Sequence, residues 1–190
     1  MTERWRCFVA VPLDASVRTA LERARAPWLE RPDLAGLRWT EPSAWHLTLA
    51  FLAGVDASAV PEVTSATRAV AAHHASMQLP AGGVGAFPAP ARAKVAWYAV
   101  GDPEGRLADL ARDLGATLRV EVGDPFRPHV TLARARRAPV DLRGWIADGG
   151  EVVPSTTILV DRIELMRSHR GRGPAAYETL ASMPLTGAPG

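Results

Sequence analysis

The sequence is poor in reactive and titrating groups. Its 190 residues hold one cysteine, Cys7, which excludes an intramolecular disulfide framework and a cysteine-based zinc site. Lys94 is the sole lysine, so the other 21 of the 22 basic residues are arginine, and only two residues are tyrosine. Few groups therefore titrate between about pH 8 and 10. The high isoelectric point reflects a small arginine excess, not a strongly basic chain. The net charge is +2, and no general polyanion binder follows from it. No apolar run approaches the ~20 residues that a membrane span needs. The first apolar run, Cys7 to Val11, stops at Pro12 and Asp14, too short for a signal-peptide core. These absences point to a cytoplasmic protein with no membrane contact, and Cys7 reads as a buried thiol in a strand.

What is present is an ordinary globular composition: 47% apolar and 22% charged. The length suits one domain, or two small lobes that share a core, and no linker is long enough to separate domains, so residues 1–190 are expected to form a single domain. Strands are expected at Trp5–Leu13, Leu37–Thr40, His46–Phe51, Lys94–Val100, Val130–Ala133, Thr156–Met166 and Ala176–Leu180. Helices are expected from an Asp14 cap through Val17, Leu21 and Ala24, and from an Asp56 or Ser58 cap to about His74. Two more are expected, one opened by Asp102-Pro103-Glu104 with Leu107, Leu110, Leu114 and Leu118 as its stripe, and a short one over Asp141–Asp148. The stretch with Gly82, Gly83, Gly85, Pro88 and Pro90 reads as turns, not as a phosphate-cradling loop, since the strand–loop–helix context is missing. Mixed elements without regular βαβ alternation predict an α+β fold with mainly antiparallel sheet and flanking helices.

One internal echo stands out. His46-Leu-Thr-Leu-Ala recurs 83 residues later as His129-Val-Thr-Leu-Ala, and both copies fall on expected strands. Alternate residues of a strand share a face, so His46 and Thr48 lie on one side and Leu47 and Leu49 on the other; His129, Thr131, Val130 and Leu132 repeat the arrangement. A lone strand histidine is ordinarily a satisfied, half-buried or surface residue. Two copies of the same polar face favour a shared purpose. Related by a pseudo-twofold axis, the two strands would line a central cleft with two imidazoles and two hydroxyls. Such a set suits a phosphoester: one neutral imidazole takes a proton from water, one imidazolium protonates the leaving oxygen, and the hydroxyls donate to phosphate oxygens. The competing metal-site reading has little support, because neither strand carries Asp or Glu and the histidines are not one helical turn apart.

The paired motifs and their flanks resemble the 2H phosphoesterase superfamily, and within it the bacterial RNA 2′,3′-cyclic phosphodiesterases, also called 2′-5′ RNA ligase-like. The resemblance runs over Arg6–Val11, Leu37–Pro42, Trp45–Leu52, Gly85–Pro88, Pro125–Arg134, Ile163–Ser168 and Tyr177. It implies a bilobal fold with a cleft between the lobes. It implies metal-independent, cofactor-free hydrolysis of RNA 2′,3′-cyclic phosphate ends to 2′-phosphomonoesters by a monomer, with tRNA fragments as one source of such ends. By position, His46 and His129 would be the acid/base pair, Thr48 and Thr131 the phosphate binders, and Arg134 a further phosphate contact. Phe126 and Arg127 would line the substrate. The chain departs from the family at Ala53-Gly54, where glycine usually follows directly, and at Trp45 before the first histidine; either would alter the cleft rim. Other members of this chemistry remain open: a small cyclic nucleotide or ADP-ribose cyclic phosphate phosphodiesterase, a 2′-5′ RNA ligase, or a non-catalytic RNA-end binding module.

The arginine surplus is local. Residues 127–137 hold Arg127, Arg134, Arg136 and Arg137 without an acid, and Arg167, Arg170 and Arg172 surround His169, while the first 60 residues balance seven arginines with seven acids. These stretches are candidate RNA-backbone contacts, and His169 is a candidate substrate contact in an expected loop. Trp39 or Trp45 is a candidate base-stacking residue; the remaining tryptophans are expected in the core. His73 and His74 are expected to end a helix.

Overall fold

A computed structural model of the chain describes residues 3–123, 125–152, 155–169 and 176–188. In chain order the elements are β1 (Arg4–Pro12), α1 (Ala15–Arg25), β2 (Leu37–Trp39), β3 (His46–Phe51), β4 (Val55–Asp56), α2 (Val60–Ala71), β5 (Met77–Phe87), β6 (Val95–Val100), α3 (Arg106–Leu118), β7 (His129–Ala135), α4 (Arg143–Val152), β8 (Thr156–Val160), β9 (Arg162–His169) and β10 (Ala176–Pro184). The fold is α+β and its sheet is antiparallel throughout the paired strands, as the mixture of elements predicts.

The strand order β10-β9-β1-β3-β7-β6-β5-β8 divides into two runs of four, joined where β3 meets β7. The two histidine strands are therefore the innermost pair. Helices α2 and α3 pack on β9, β10 and β3, whereas α1 contacts β8 and α4 contacts β5. Helix α1 thus follows β1 in the chain but covers the far half, and α3 follows β6 and covers the near half. The core-facing residues of the central strands, Leu47, Leu49, Val130 and Leu132, are buried against these helices, as are Leu107, Leu110 and Leu114 of α3. Asp14 caps α1, its carboxylate accepting from the Val17 amide at 2.8 Å.

Several expected boundaries move. The glycine-rich stretch is not a chain of turns but the second half of β5. Its pairing with β6 slips between Ala81 and Val84, and Gly83 (φ 76°) takes up the kink in the left-handed region. At Gly85 a Cβ would lie 2.2 Å from the Trp97 ring, so the missing side chain lets the indole lie against β5. The expected strand Thr156–Met166 breaks at Asp161 into β8 and β9, which sit at different places in the sheet. Neither Asp56 nor Ser58 caps α2, which follows a 3₁₀ turn at Ala57–Ala59 and has Pro61 in its first turn. Helix α3 begins later than Pro103, after Gly105 (φ 72°), although Asp102 still receives the Leu107 and Ala108 amides at 3.2 and 2.8 Å. His169 ends strand β9 instead of lying in a loop.

A tryptophan cluster braces the region before the first histidine strand. Trp28 lies 6.0 Å from Trp39 and edge-on to Trp145 at 5.2 Å. Trp145 is fully buried, and its indole nitrogen has no hydrogen-bond partner. Trp145→Ala is expected to lower unfolding free energy by about 3–5 kcal/mol in urea titration. Trp145→Phe should cost clearly less, because it removes an unpaired buried donor along with the ring.

Candidate active site

The site starts from one register. In the β3–β7 pair Leu47 lies opposite Val130. Continuing one residue each way puts His46 opposite Thr131 and Thr48 opposite His129, all four on the face away from the helices. Directly opposite residues have Cβ atoms about 5 Å apart and diagonal ones about 7 Å. The imidazoles therefore occupy one diagonal of a four-cornered platform and the hydroxyls the other.

Both strands bear the same irregularity. Val9 pairs with Ala50 and Ala10 with Thr48, leaving Leu49 unpaired on β1; Ala96 pairs with Ala133 and Trp97 with Thr131, leaving Leu132 unpaired on β6. The two bulges are 83 residues apart, the same spacing as the histidines. The burial pattern is also the same over six positions: half-buried, buried, half-buried, buried, buried, exposed. A bulge inserts one residue and reverses the parity of the residues after it. Arg134, three residues after Thr131, would face the core in strict alternation. The bulge at Leu132 returns it to the histidine face.

Arg38 sits directly opposite Arg134 in the β2–β7 pair, so the two guanidinium groups share that face. Like charges directly opposite each other are unfavourable in a sheet. Among the described residues neither arginine meets a carboxylate. An anion between them would relieve the repulsion. In the sequence Arg38 is a single basic residue on a short strand, with nothing to mark its cross-strand neighbour.

Both imidazoles are held alike. His46 Nδ1 is 2.9 Å from the Ala44 carbonyl and His129 Nδ1 is 2.8 Å from that of Arg127. A carbonyl only accepts, so Nδ1–H donates in each ring and Nε2 is left for chemistry. His46 Nε2 lies 3.1 Å from the Thr48 hydroxyl, which donates to it when the ring is neutral. Phe8 (4.8 Å) and Tyr177 (5.1 Å) flank His46, while Phe87 (5.0 Å) and Trp97 (6.3 Å) flank His129. Burial pushes the His46 imidazole down to about 4; the Arg134 guanidinium and the His129 ring add to the effect and the Ala44 carbonyl opposes it. Burial also lowers His129, with Arg134 adding and the Arg127 carbonyl opposing. Arg134 thus acts electrostatically on both rings.

The approach to His46 is fixed from outside the sheet. Buried Arg25 donates to the Thr40 carbonyl at 3.0 Å and lies over the Trp45 ring at 5.4 Å, and the Thr40 amide donates to the Leu132 carbonyl at 2.8 Å. Trp45 is only 2% exposed, so it is not the base-stacking residue expected from the sequence. Trp39 is engaged in the tryptophan cluster. Trp97 is instead half-buried beside His129, where the sequence reading expected a core residue.

Phe126 packs against the core edge, and exposed Arg127 reaches the site through its carbonyl. His169 lies apart, exposed at the end of β9, 2.9 Å from Glu178. Arg136 donates to the Leu37 carbonyl at 3.0 Å. Arg167 is paired with Glu3 at 2.7 Å and lies over the Trp5 ring at 3.8 Å, and Arg170 and Arg172 fall outside the described residues. Burial raises the Cys7 thiol, as suits the inert core position expected for it. His73 and His74 follow α2, hydrogen-bonded to the Ala69 carbonyl and to Asp113. No helix among the described residues is long and apolar enough to cross a membrane.

Known proteins resemble the chain in sequence and in fold. The chain is 33% identical over 199 residues to an RNA 2′,3′-cyclic phosphodiesterase of Geobacillus stearothermophilus; the match takes in 98% of this chain and 59% of that protein, so this chain spans about three fifths of that relative. Its fold resembles the crystal structure of TT0787 of Thermus thermophilus, with TM-score 0.77, 28% identity and coverage of 96% of this chain and 98% of that one. It also resembles E. coli LigT complexed with 3′-AMP, with TM-score 0.76, 26% identity and coverage of 97% and 99%. The family described as LigT-like phosphoesterase matches residues 11–97 and 100–177. The chain belongs to the LigT-like phosphoesterases.

Proposed function

We propose that the chain hydrolyses RNA 2′,3′-cyclic phosphate ends to 2′-phosphomonoesters, without a metal, by acid/base catalysis shared between His46 and His129. The observation that carries this reading is the pair of imidazoles on one diagonal, each fixed through Nδ1 to a main-chain carbonyl, with Nε2 on the site face and, in His46, 3.1 Å from the Thr48 hydroxyl. A neutral Nε2 takes a proton from water as the water oxygen bonds to phosphorus. The phosphorus–O3′ bond breaks, and the other imidazolium protonates O3′. The product is a 2′-phosphate beside a 3′-hydroxyl, and the two rings end with exchanged protonation. Thr48 and Thr131 donate to the non-bridging oxygens; the Thr48 hydroxyl turns from His46 Nε2 to phosphate when substrate binds, which leaves that Nε2 free for its proton transfer. Arg134 and Arg38 balance the anion, and Phe126 and Arg127 edge the substrate on the His129 side, with His169 farther along the surface. The chain works as one domain of two interleaved lobes, monomeric and cytoplasmic, on RNA ends that include tRNA fragments.

An oligoribonucleotide with a 2′,3′-cyclic end tests this. The expected product is the 2′-phosphomonoester, formed equally well in chelator. A 3′-phosphate product, loss of turnover in chelator, or binding without turnover would each overturn the reading. Ligation of 5′-hydroxyl RNA to the same end, if faster than hydrolysis, would place the chain among the ligases.

A further inference from the structure

The pseudo-twofold arrangement breaks at one corner. The counterpart of Arg134 on β3 is Phe51, returned to the histidine face by the bulge at Leu49. It is a large apolar ring left 43% exposed. Arg6 lies over it, its guanidinium carbon 5.1 Å from the ring centroid, and among the described residues no carboxylate pairs with Arg6. Phe51 is opposite Phe8 on β1, and Arg6 is two residues further on the same face. Arg6 is roughly 14 Å from Thr48 along the strand direction by strand rise. That is beyond the reacting phosphate.

Beside this face, past Phe51, a cavity of about 630 Å³ is lined by Arg4, Trp5, Arg6, Ala53, Gly54, Arg167, Ser168 and His169. Ala53 holds a left-handed φ of 51°, unusual for a residue with a side chain, and this bends the β3–β4 turn around the cavity. Ala53-Gly54 is also where the sequence departs from its family's usual pattern. The acids that meet these cations, Glu3, Asp56 and Glu178, are not part of the lining, and their partners Arg4, Arg167 and His169 are held in solvent-accessible pairs that a phosphate can compete for.

We propose that Phe51 with Arg4 and Arg6, on the same face of the sheet, forms a second subsite for the RNA strand on the 5′ side of the reacting end, with a base stacked on Phe51 and a phosphodiester held by the two arginines; Arg167, opposite Cys7 and over the Trp5 ring, lies on the other face. This rests on the hydrolase reading above and narrows its substrate class to oligoribonucleotides over cyclic mononucleotides. Aromatic faces take any base, and arginines track the backbone, so the subsite is indifferent to sequence.

The test compares a trinucleotide carrying a 2′,3′-cyclic end with a 2′,3′-cyclic mononucleotide. Wild type should favour the trinucleotide, and Phe51→Ala and Arg6→Gln should each reduce the ratio of the two kcat/KM values about tenfold. Arg4→Gln with Arg6→Gln should also flatten the salt dependence for the trinucleotide by about 0.7 in log–log slope for each phosphate interaction removed. A ratio unchanged in these variants, or equal use of both substrates by wild type, overturns the subsite alone. Turnover of neither substrate by wild type overturns the hydrolase reading and the subsite with it.

Discussion

His46→Asn and His129→Asn are each expected to reduce turnover of a 2′,3′-cyclic phosphate by about 10³-fold, within the range for loss of a general acid or base. Asparagine is the informative replacement. Its side-chain N–H can reproduce the Nδ1 donation to the carbonyl of Ala44 or Arg127, while nothing replaces Nε2. The strand, the bulge and the aromatic neighbours are kept, so circular dichroism and melting should stay close to wild type. Alanine variants should lose as much activity, and at His46 they also leave a gap between Phe8 and Tyr177. Since each ring serves one proton transfer of the same event, the double variant should be scarcely slower than either single one. Retention of a tenth of the turnover in either asparagine variant would falsify the acid/base assignment.

Arg134→Gln is expected to raise KM about 10- to 100-fold, the range for losing a charged hydrogen bond to phosphate, and to move the pH profile upward. The rings titrate as a pair: activity needs one charged and one neutral. Both are held below the ordinary histidine value, His46 down to about 4. The free enzyme is therefore singly protonated at acidic pH, and kcat/KM should peak below about pH 6.5. A bound phosphodiester anion favours the imidazolium, so the limbs of kcat lie at higher pH than those of kcat/KM. Removing the Arg134 cation relaxes both rings in the same direction, which a purely structural role would not do. The same depression appears in stability. An unfolded histidine protonates near pH 6.5 and folded His46 only near 4, so the unfolded state binds more protons between them and the fold weakens as pH falls through that window. The loss is on the order of 3 kcal/mol by pH 4, and His46→Asn should flatten it.

The two histidine strands are legible in the sequence because alternation and repetition reinforce each other there: His46–Phe51 is a strand with the predicted ends, and Leu47 and Val130 are buried as their parity requires. Helices with a clean apolar stripe, α1 and α3, are legible too. What sequence does not carry is the partner. A bulge is a mismatch between two strands, so neither Leu49 nor Leu132 is marked in its own segment, and the face of Arg134 could not be derived from spacing. Arg38 acquires its meaning only from the residue across from it. Strand β5 was hidden by its glycines, which elsewhere mark turns; here Gly85 accommodates Trp97. The break at Asp161 was hidden because apolar β-branched residues continue on both sides of it.

The crossed placement of α1 and α3 makes each half of the sheet depend on a helix that belongs, by chain order, to the other. Each half severed from its neighbour loses one of its two covering helices, so the molecule should melt in one cooperative transition with no half-folded intermediate. Fragments cut in the connection after β6 should be unfolded alone and regain structure only when mixed. The imidazole diagonal is then a property of the assembled whole: it exists only while both halves do.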